Sequence, residues 1–148
     1  MSEFRDFDNI HEMLKQTVDQ NRERTAYRWF ISDGEMNSVN WSDFYAQVRQ
    51  VAASLIAMEI QKGDKVNILS YSCYRWVLTD LASAALGAVS VGIYQTLLAE
   101  DCQYIINHSD AVLVFAQDEV QLEKLQRIRD KIPNIRKVVL FSGNCPDD

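Results

Sequence analysis

The stretch GDKVNILSYSCYRWVLTDLASAALGAVSVGIYQT, residues 63–96, predicts a strand, a helix and a second strand with short joins. Residues 66–69 are a short apolar run whose length and branching favour a buried strand. Residues 76–86 have the length of a helix, and Gly87 is suited to end it because glycine adopts a positive φ without strain. Residues 88–94 are the next apolar run. Because a helix joins the two strands, we expect them to be parallel, with a right-handed crossover.

The pattern on the C-terminal side continues this alternation. Residues 100–108 predict a short helix with Cys102, Ile105 and Ile106 facing inward, and residues 111–116 predict a strand. A helix is predicted from Asp118 to Lys131, with Glu123 and Arg127 as an ion pair, and Pro133 ends it. Residues 137–141 predict a fourth strand. The apolar face of that last helix consists of Leu122, Leu125, Ile128 and Ile132.

The N-terminal side predicts a helix, a hairpin and a second helix. Residues 9–12, Asn-Ile-His-Glu, form a capping box in which Asn9 and Glu12 bond each other's amides. Residues 27–31 and 36–41 predict a hairpin, since the Asp-Gly between them favours a tight turn. Ser42 is predicted to cap the next helix, which stops near Gly63. The expected apolar faces hold Ile10, Met13, Leu14 and Val18 in the first helix, with His11 in solvent, and Phe44, Val48, Val51, Ala52, Leu55 and Ile56 in the second.

Alternating strands and helices predict an α/β fold with a mostly parallel sheet covered by helices, preceded by a helix and a β-hairpin. The chain of 148 residues has the size of one domain. We expect a single structural unit. It is divided into residues 1–62 (helix, hairpin, helix), residues 63–141 (the sheet) and a polar tail, residues 142–148.

Composition excludes several classes of protein. The 21 acidic and 15 basic residues give a net charge of −6, which argues against a nucleic-acid surface because phosphate binding needs clustered cations. Cys73, Cys102 and Cys145 contain no CxxC pair, so neither a disulfide framework nor a zinc site is indicated. The start lacks the apolar core of a signal peptide, and the most apolar window, residues 77–93, contains Asp80. A cytoplasmic protein is expected, and peripheral membrane contact is left open.

Candidate ligand-contacting residues follow the two central strands. The first strand is followed by Tyr71, Tyr74, Arg75 and Trp76, and the second by Tyr94-Gln95-Thr96. Ligands of open α/β sheets bind outside the carboxyl ends of strands, so both loops are placed to line a crevice. We nevertheless favour the simpler interpretation that these aromatic side chains pack the loops against the body of the domain.

Other motifs favour structural roles. The interval from Gly87 to Gly92 has the spacing of a phosphate loop but lacks the following Lys-Ser or Lys-Thr. Ser70 and Ser72 follow a strand without the GxSxG pattern of a nucleophilic serine. The acidic pairs Glu100-Asp101 and Asp118-Glu119 stand at expected helix starts, where carboxylates bond free amides and oppose the dipole.

Motifs throughout the chain also resemble those of a known family. The matching segments are Gly63-Asp64-Lys65-Val66, Ile68-Leu69-Ser70, Trp76-Val77, Asp80-Leu81-Ala82, Gly87-Ala88-Val89 and Ile93-Tyr94-Gln95-Thr96, flanked by Trp41-Ser42-Asp43-Phe44 and Tyr104-Ile105-Ile106-Asn107-His108-Ser109. In these segments the chain resembles the N-terminal part of the AMP-forming long-chain fatty-acid–CoA ligases, or acyl-CoA synthetases. It departs from their pattern at Arg75, where they usually have glutamate, and at Gly92 and Gln95, where they have proline.

The resemblance implies an enzyme that adenylates a fatty acid with ATP and Mg²⁺ and then transfers the acyl group to coenzyme A. In that family the phosphate loop, the acidic residue that organises magnesium, and the C-terminal lid with its lysine lie beyond a segment like this one. We therefore assign no catalytic, cofactor-binding or metal-binding residue. The resemblance implies that residues 1–148 are a single N-terminal subdomain, a structural part that is inactive alone and binds no cofactor. Its implied partners are the rest of its parent chain and the parent's fatty acid substrate.

Two other interpretations remain from the residues. One is a complete, free-standing α/β module that binds a ligand or a protein partner through residues 71–76. The other is a small flavodoxin-like redox protein, which is disfavoured because no phosphate-cradling loop follows the first parallel strand. A part of a larger enzyme is expected to expose apolar surface that the rest of the enzyme covers.

Overall fold

The computed structural model describes residues 7–32 and 34–143, which hold a sheet, a hairpin and the helices around them. Asp33 of the expected hairpin turn, the start of the chain, and the tail from residue 144, with Cys145, lie outside the described residues. The elements follow in the order α1 (Ile10–Asn21), β1 (Thr25–Ser32), β2 (Glu35–Asn40), α2 (Trp41–Ala57), β3 (Lys65–Leu69), α3 (Tyr74–Ala85), β4 (Val89–Ile93), α4 (Ala99–His108), β5 (Ala111–Ala116), α5 (Glu119–Arg127), a 3-10 turn (Arg129–Lys131) and β6 (Lys137–Leu140).

Strands β3 to β6 form one parallel sheet in the order β4-β3-β5-β6, and β1 pairs with β2 in an antiparallel hairpin. The register of β3 against β4 runs from Lys65 opposite Val89 to Leu69 opposite Ile93. The predicted fold class is therefore confirmed. Gly87 has a φ of +70° just after α3, as its predicted role at the helix end requires.

Helices cover both faces of the sheet, and the side chains of β3 alternate between them. Val66 and Ile68 belong to a core formed with α1, α2 and α3, whereas Leu69 belongs to a core formed with α4 and α5. The first core includes Leu14, Val18, Phe44, Val48, Leu55, Leu78 and Ala82, and the second includes Cys102, Ile106, Leu125, Ile128 and Ile132. Residues before the sheet thus share a core with it.

The start of α2 differs from the prediction. Asn40, rather than Ser42, caps the helix, and its Oδ1 accepts a hydrogen bond of 2.7 Å from the amide of Asp43. The amide of Ser42 instead donates to the carbonyl of Arg22, and that of Trp41 donates to the carbonyl of Arg24, each at 3.0 Å. These bonds fix the base of the hairpin against the first turn, so the helix begins directly after β2. It also ends at Ala57, six residues before Gly63.

The first helix confirms half of the predicted capping box. The amide of Glu12 donates to Asn9 Oδ1 at 2.9 Å, but the Glu12 carboxylate accepts from the amide of Asp8 rather than from that of Asn9. His11 is half-buried, not in solvent, with Nε2 at 3.5 Å from the hydroxyl of Tyr45. Side chains predicted as core but exposed are Ile10, Met13 and Ile56.

The last helix is shorter than predicted. Regular α-helix ends at Arg127, and the chain continues through the 3-10 turn to Ile132. Ile128 and Ile132 are nevertheless buried as expected, because the tighter turn keeps them facing the second core. The pair of Glu123 and Arg127 is present at 4.0 Å with both side chains exposed, so it adds little stability.

Candidate functional site

The loops that leave β3 and β4 line a crevice of about 410 Å³ at the carboxyl edge of the sheet, called here the loop crevice. Its lining consists of Ser70, Tyr71, Ser72, Trp76, Gly92, Ile93, Tyr94 and Gln95. The structure therefore brings together candidate residues from both predicted loops. Tyr74, Arg75 and Thr96 do not line this crevice.

The loop crevice has an uncharged lining with aromatic walls. Tyr71 and Tyr94 are 57% and 76% exposed, respectively, while Ile93 is buried. The half-buried ring of Trp76 lies beside Gly92, where an added Cβ would be 3.6 Å from Trp76 Cζ2. Such a surface can stack against a flat, uncharged group and offer it hydroxyl or amide hydrogen bonds.

Gln117, which follows β5, fixes the first wall of the loop crevice. Its Oε1 accepts from the amide of Tyr71 at 2.8 Å and from the hydroxyl of Ser70 at 3.3 Å. Its Nε2 donates to Asp118 at 3.2 Å. The position of Gln117 directly after a strand, at the same edge of the sheet, is the sequence signal that could have identified it.

Lys124, on α5, fixes the second wall. Its Nζ donates to the carbonyls of Gln95 at 2.5 Å and Leu97 at 3.0 Å, which ties the loop after β4 to that helix. These carbonyls are 29 and 27 residues away in the chain, so no local pattern indicated the contact.

The neighbouring strands β3 and β5 are followed by helices on opposite faces of the sheet, a topology that places ligands between their carboxyl ends in open α/β folds. Here the side chain of Gln117 lies between the two loops and already takes the amide of Tyr71. That amide is therefore not free to bind a phosphate, an observation that further disfavours a flavodoxin-like function.

Tyr74 packs against the hairpin, which confirms aromatic packing for this residue. Its ring stacks on Trp29, with centroids 4.4 Å apart and planes at 10°, and also contacts Tyr27 and Phe44. Its hydroxyl donates to Gln47 Oε1 at 3.0 Å. Burial raises the pKa of the Tyr74 phenol, and the negative charge of Asp43 raises it further.

A second depression, the hairpin groove, lies between β1 and the loops that leave β3, β5 and β6, and has a volume of about 770 Å³. Arg75, one of the candidate residues, lines it together with Arg28, and both side chains are exposed. Its remaining lining is aromatic or uncharged: Tyr27, Trp29, Phe30, Gln47, Tyr71, Ser72, Cys73, Tyr74, Leu78, Gln117, Phe141 and Ser142.

The nucleophile candidates do not assemble into a catalytic group. The hydroxyl of the buried Ser70 has two acceptors for its single proton, the carbonyl of Tyr71 at 2.8 Å and Gln117 Oε1 at 3.3 Å. The half-buried Cys73 has Sγ at 3.8 Å from Ser70 Oγ. Both histidines make contacts elsewhere, His11 with Tyr45 and His108 with Tyr104.

The acidic candidates behave as predicted at one helix start: Asp118 Oδ1 accepts from the amide of Gln121 at 3.1 Å and caps α5. Within residues 7–32 and 34–143, no group of three His, Cys, Asp or Glu side chains is arranged to hold a metal ion. No helix in the described part of the chain is both long and apolar enough to cross a membrane.

Comparison with known proteins gives a consistent picture. The family model described as AMP-binding enzyme matches residues 14–148. The long-chain-fatty-acid–CoA ligase FadD15 of Mycobacterium bovis is 31% identical over 140 residues, which cover 95% of this chain and 23% of that protein. The chain therefore spans only part of the length of the curated relatives it matches, between 16% and 23% of each.

Solved structures agree on the fold. The N-terminal domain of FACL13 from Mycobacterium tuberculosis superposes with a TM-score of 0.82 at 23% identity, covering 91% of this chain and 34% of that one. A fatty acyl CoA synthetase from the same organism gives a TM-score of 0.80 at 24% identity, with 89% and 26% covered. At these identities the likeness establishes the shared fold.

Proposed function

The chain belongs to the AMP-binding enzyme family, as its motifs predicted, and we propose that it forms the N-terminal scaffold of a long-chain fatty-acid–CoA ligase. The observation that carries the proposal is the match over residues 14–148, together with ligase relatives of which the chain spans 23%. In this proposal the whole protein acts in lipid metabolism in the cytoplasm. It adenylates a fatty acid with ATP and Mg²⁺ and passes the acyl group to coenzyme A.

The part played by this chain is structural in the proposal. Residues 1–148 act as one subdomain, whose sheet presents its carboxyl edge to the rest of the parent chain. Two observations support this role. Gln117 and Lys124 hold the edge loops in place, and exposed Tyr71, Tyr94 and Leu98 offer apolar surface close to that edge. No residue of the chain is assigned a catalytic step, and the chain alone binds no ATP, Mg²⁺ or coenzyme A.

Acyl-dependent exchange of labelled pyrophosphate into ATP tests the proposal. The 148-residue chain is expected to show none, whereas a protein extended by the source gene's codons beyond Asp148 is expected to catalyse it with long-chain fatty acids. Exchange by the chain alone would contradict the scaffold role. A stop codon directly after Asp148 would contradict the view that it is part of a longer ligase.

A second candidate function is a free-standing module that binds a ligand in the loop crevice. The uncharged crevice with its exposed Tyr71 and Tyr94 favours it. This candidate predicts a monodisperse, cooperatively unfolding protein that does not bind hydrophobic dyes, whereas the scaffold predicts dye binding or self-association. Tyr71→Ala is the sharper variant for binding studies, because the half-buried Trp76 packs on Gly92 and its loss would also disturb the fold.

A further inference from the structure

A third depression, called here the edge groove, lies between β2 and α2 and has a volume of about 780 Å³. Four consecutive residues of β2, residues 37–40, line it. Because the side chains of a strand alternate between its two faces, a groove lined by consecutive residues follows the backbone edge of that strand. The other wall is one side of α2, whose lining residues recur at helical spacing: Asp43, Ala46, Gln47 and Gln50.

The backbone of β2 is open toward the edge groove. Among the described residues, β2 pairs only with β1. The amide of Ser38 donates to Oδ1 of Asn37 at 2.8 Å, so it points away from β1. In an antiparallel pair, the carbonyl of such a residue points away from the partner strand as well. Ser38 therefore presents a donor and an acceptor at a free sheet edge, to which an extended chain can add as a further strand.

The edge groove is acidic. Glu23 and Asp43 line it, and none of its lining residues is Lys, Arg or His. Within residues 7–32 and 34–143, Glu23 makes no ion pair and no side-chain hydrogen bond. The carboxylate of Asp43 accepts a hydrogen bond from Asn40 Nδ2 at 3.1 Å and has no ion pair with another described residue. Both carboxylates can therefore bind a cationic side chain.

Trp29 and Tyr74 form an aromatic wall of the edge groove beside these carboxylates. Their rings stack with centroids 4.4 Å apart, and the Tyr74 hydroxyl donates to Gln47 at 3.0 Å, which fixes this wall against α2. Asp43 lies close enough for its charge to raise the pKa of the Tyr74 phenol. A lysine or arginine can therefore pack its alkyl stem on the rings while its charged end reaches a carboxylate.

We propose that the edge groove binds an extended basic segment of a partner protein, which adds to β2 as a third strand. The main chain of the segment bonds the backbone of Ser38. Side chains at alternate positions enter the groove, where Lys or Arg contacts Glu23 and Asp43. Charge complementarity selects this partner, because a neutral or acidic segment would leave both carboxylates without a cation. The proposed function gives these residues no role, so the two can fail separately.

Calorimetric titration of the 148-residue chain with the peptide acetyl-Thr-Lys-Thr-Lys-Thr-amide tests the inference. In a strand, this peptide places both lysines on one face. Saturable binding of one peptide per chain is expected, and Glu23→Gln and Asp43→Asn are each expected to weaken it about tenfold. Glu123→Gln is the matched control, because this exposed carboxylate on α5 does not line the groove. An equal loss in the control, no loss in the groove variants, or no saturable binding up to about 1 mM overturns the inference.

Changes to the peptide separate strand addition from general attraction between charges. Acetyl-Thr-Lys-Lys-Thr-Thr-amide has the same charge but places its lysines on opposite faces, so it is expected to bind about tenfold more weakly. Methylation of the lysine amides, or of the central threonine amide, removes main-chain donors from alternate edges, and at least one of the two is expected to abolish binding. Equal binding by the rearranged peptide, or full binding by both methylated peptides, overturns the inference.

Ser38→Pro tests the strand edge on the protein side. Proline removes the outward amide, and a free edge accommodates it because the amide of Ser38 does not bond β1. Loss of peptide binding is expected, and near-ultraviolet circular dichroism establishes that each variant is folded. Full binding by the folded variant overturns the inference. If Ser38→Pro does not fold, the methylated peptides decide.

Three other occupants of the edge groove are distinguished by further results. Spermidine that binds as tightly as the peptide, with the same dependence on Glu23 and Asp43, would make the groove a site for small cations. A dimer in sedimentation that Ser38→Pro disperses would make the occupant a second copy of the chain. Peptide binding by the 148-residue chain but not by the protein extended beyond Asp148 would mean that the parent chain fills the groove. Each of these results overturns the inference.

Discussion

Asn67 is a fully buried polar side chain in the middle of β3. Its Nδ2 lies 3.3 Å from Ser109 Oγ and 3.4 Å from the carbonyl of Val91, and its Oδ1 has no partner among the described residues. Both hydrogen bonds are long, so they recover only part of the cost of removing the amide from water. An asparagine here gives the centre of the sheet less stability than an apolar side chain of similar size.

Asn67→Leu is therefore expected to raise the free energy of unfolding by about 1 kcal/mol, because it removes an unpaired buried oxygen and adds apolar burial. Urea denaturation followed by circular dichroism measures the change. Ser109→Ala is the control, because it removes the contact between Asn67 and Ser109 but leaves the asparagine in place. This control also removes the hydrogen bond from Ser109 to the carbonyl of Ile106. A large loss of stability in Asn67→Leu would contradict the prediction, and would mean either that the site does not accommodate the larger leucine or that Oδ1 has a bound water.

Tyr74 links the hairpin to α2 and makes stability depend on alkaline pH. Its pKa in the folded state is raised above the ordinary value of 10.0, chiefly by burial, so the unfolded chain loses this proton first. The contribution is complete below pH 10 and is lost as pH rises through the folded pKa. Tyr74→Phe is expected to lose less stability between neutral and strongly alkaline pH than the unmodified protein. Thermal unfolding across that pH range measures the stability of each protein, and Tyr104→Phe, at an exposed tyrosine, is the control. The same pH dependence of stability in Tyr74→Phe and in the unmodified protein would contradict the prediction.

At the scale of elements, the helix start at Asn40 offers a direct comparison of two candidate caps. Asn40→Ala removes the 2.7 Å bond to the amide of Asp43 and is expected to lower the free energy of unfolding by about 1 kcal/mol. Ser42→Ala is expected to change it by less than about half of that, since Ser42 lies inside the first turn. Chemical denaturation of both variants decides between them, and the reverse order would restore Ser42 as the cap.

The elements themselves were predictable because their signals are local. The strands β3 and β5 were predicted within a residue of their bounds, since apolar runs of strand length lay between turn signals. The cap of α2 was not predicted correctly, because Asn40 and Ser42 are both residues that favour the cap position. Hydrogen bonds from the amides of the first helical turn to the carbonyls of Arg22 and Arg24 determine which of the two is the cap. Long-range contacts determine such choices.

The candidate site was predictable in part. The rule that ligands bind at the carboxyl ends of strands placed Tyr71, Trp76 and Tyr94 at one edge, and they line one crevice. It could not show that Tyr74 turns to the hairpin, because its partner Trp29 lies on a separate sheet. The same rule points to Gln117, which directly follows β5, but it could not predict the hydrogen bond from Tyr71 to Gln117, which spans 46 residues.

At the scale of the whole molecule, the sheet is buried by two cores that depend on distant parts of the chain. One face is covered by helices from before and within the βαβ unit, and the other by α4 and α5. A parallel sheet needs both covers, because each of its faces is apolar. Since α1 and α2 share a core with β3, we propose that they unfold together with the sheet, and we expect either face to open only when this unit unfolds.

Cys102 gives a direct measurement of this coupling. Its side chain is fully buried in the second core, and burial raises the pKa of the thiol. The thiol is therefore alkylated only in molecules whose second core has opened. In a Cys73→Ser, Cys145→Ser background, the iodoacetamide reaction at Cys102 is expected to accelerate with urea in proportion to global unfolding. Asn40→Ala, on the opposite side of the sheet, is expected to speed the labelling about fivefold, in line with its loss of about 1 kcal/mol. If Asn40→Ala leaves the labelling rate at Cys102 unchanged, the two faces of the sheet open separately.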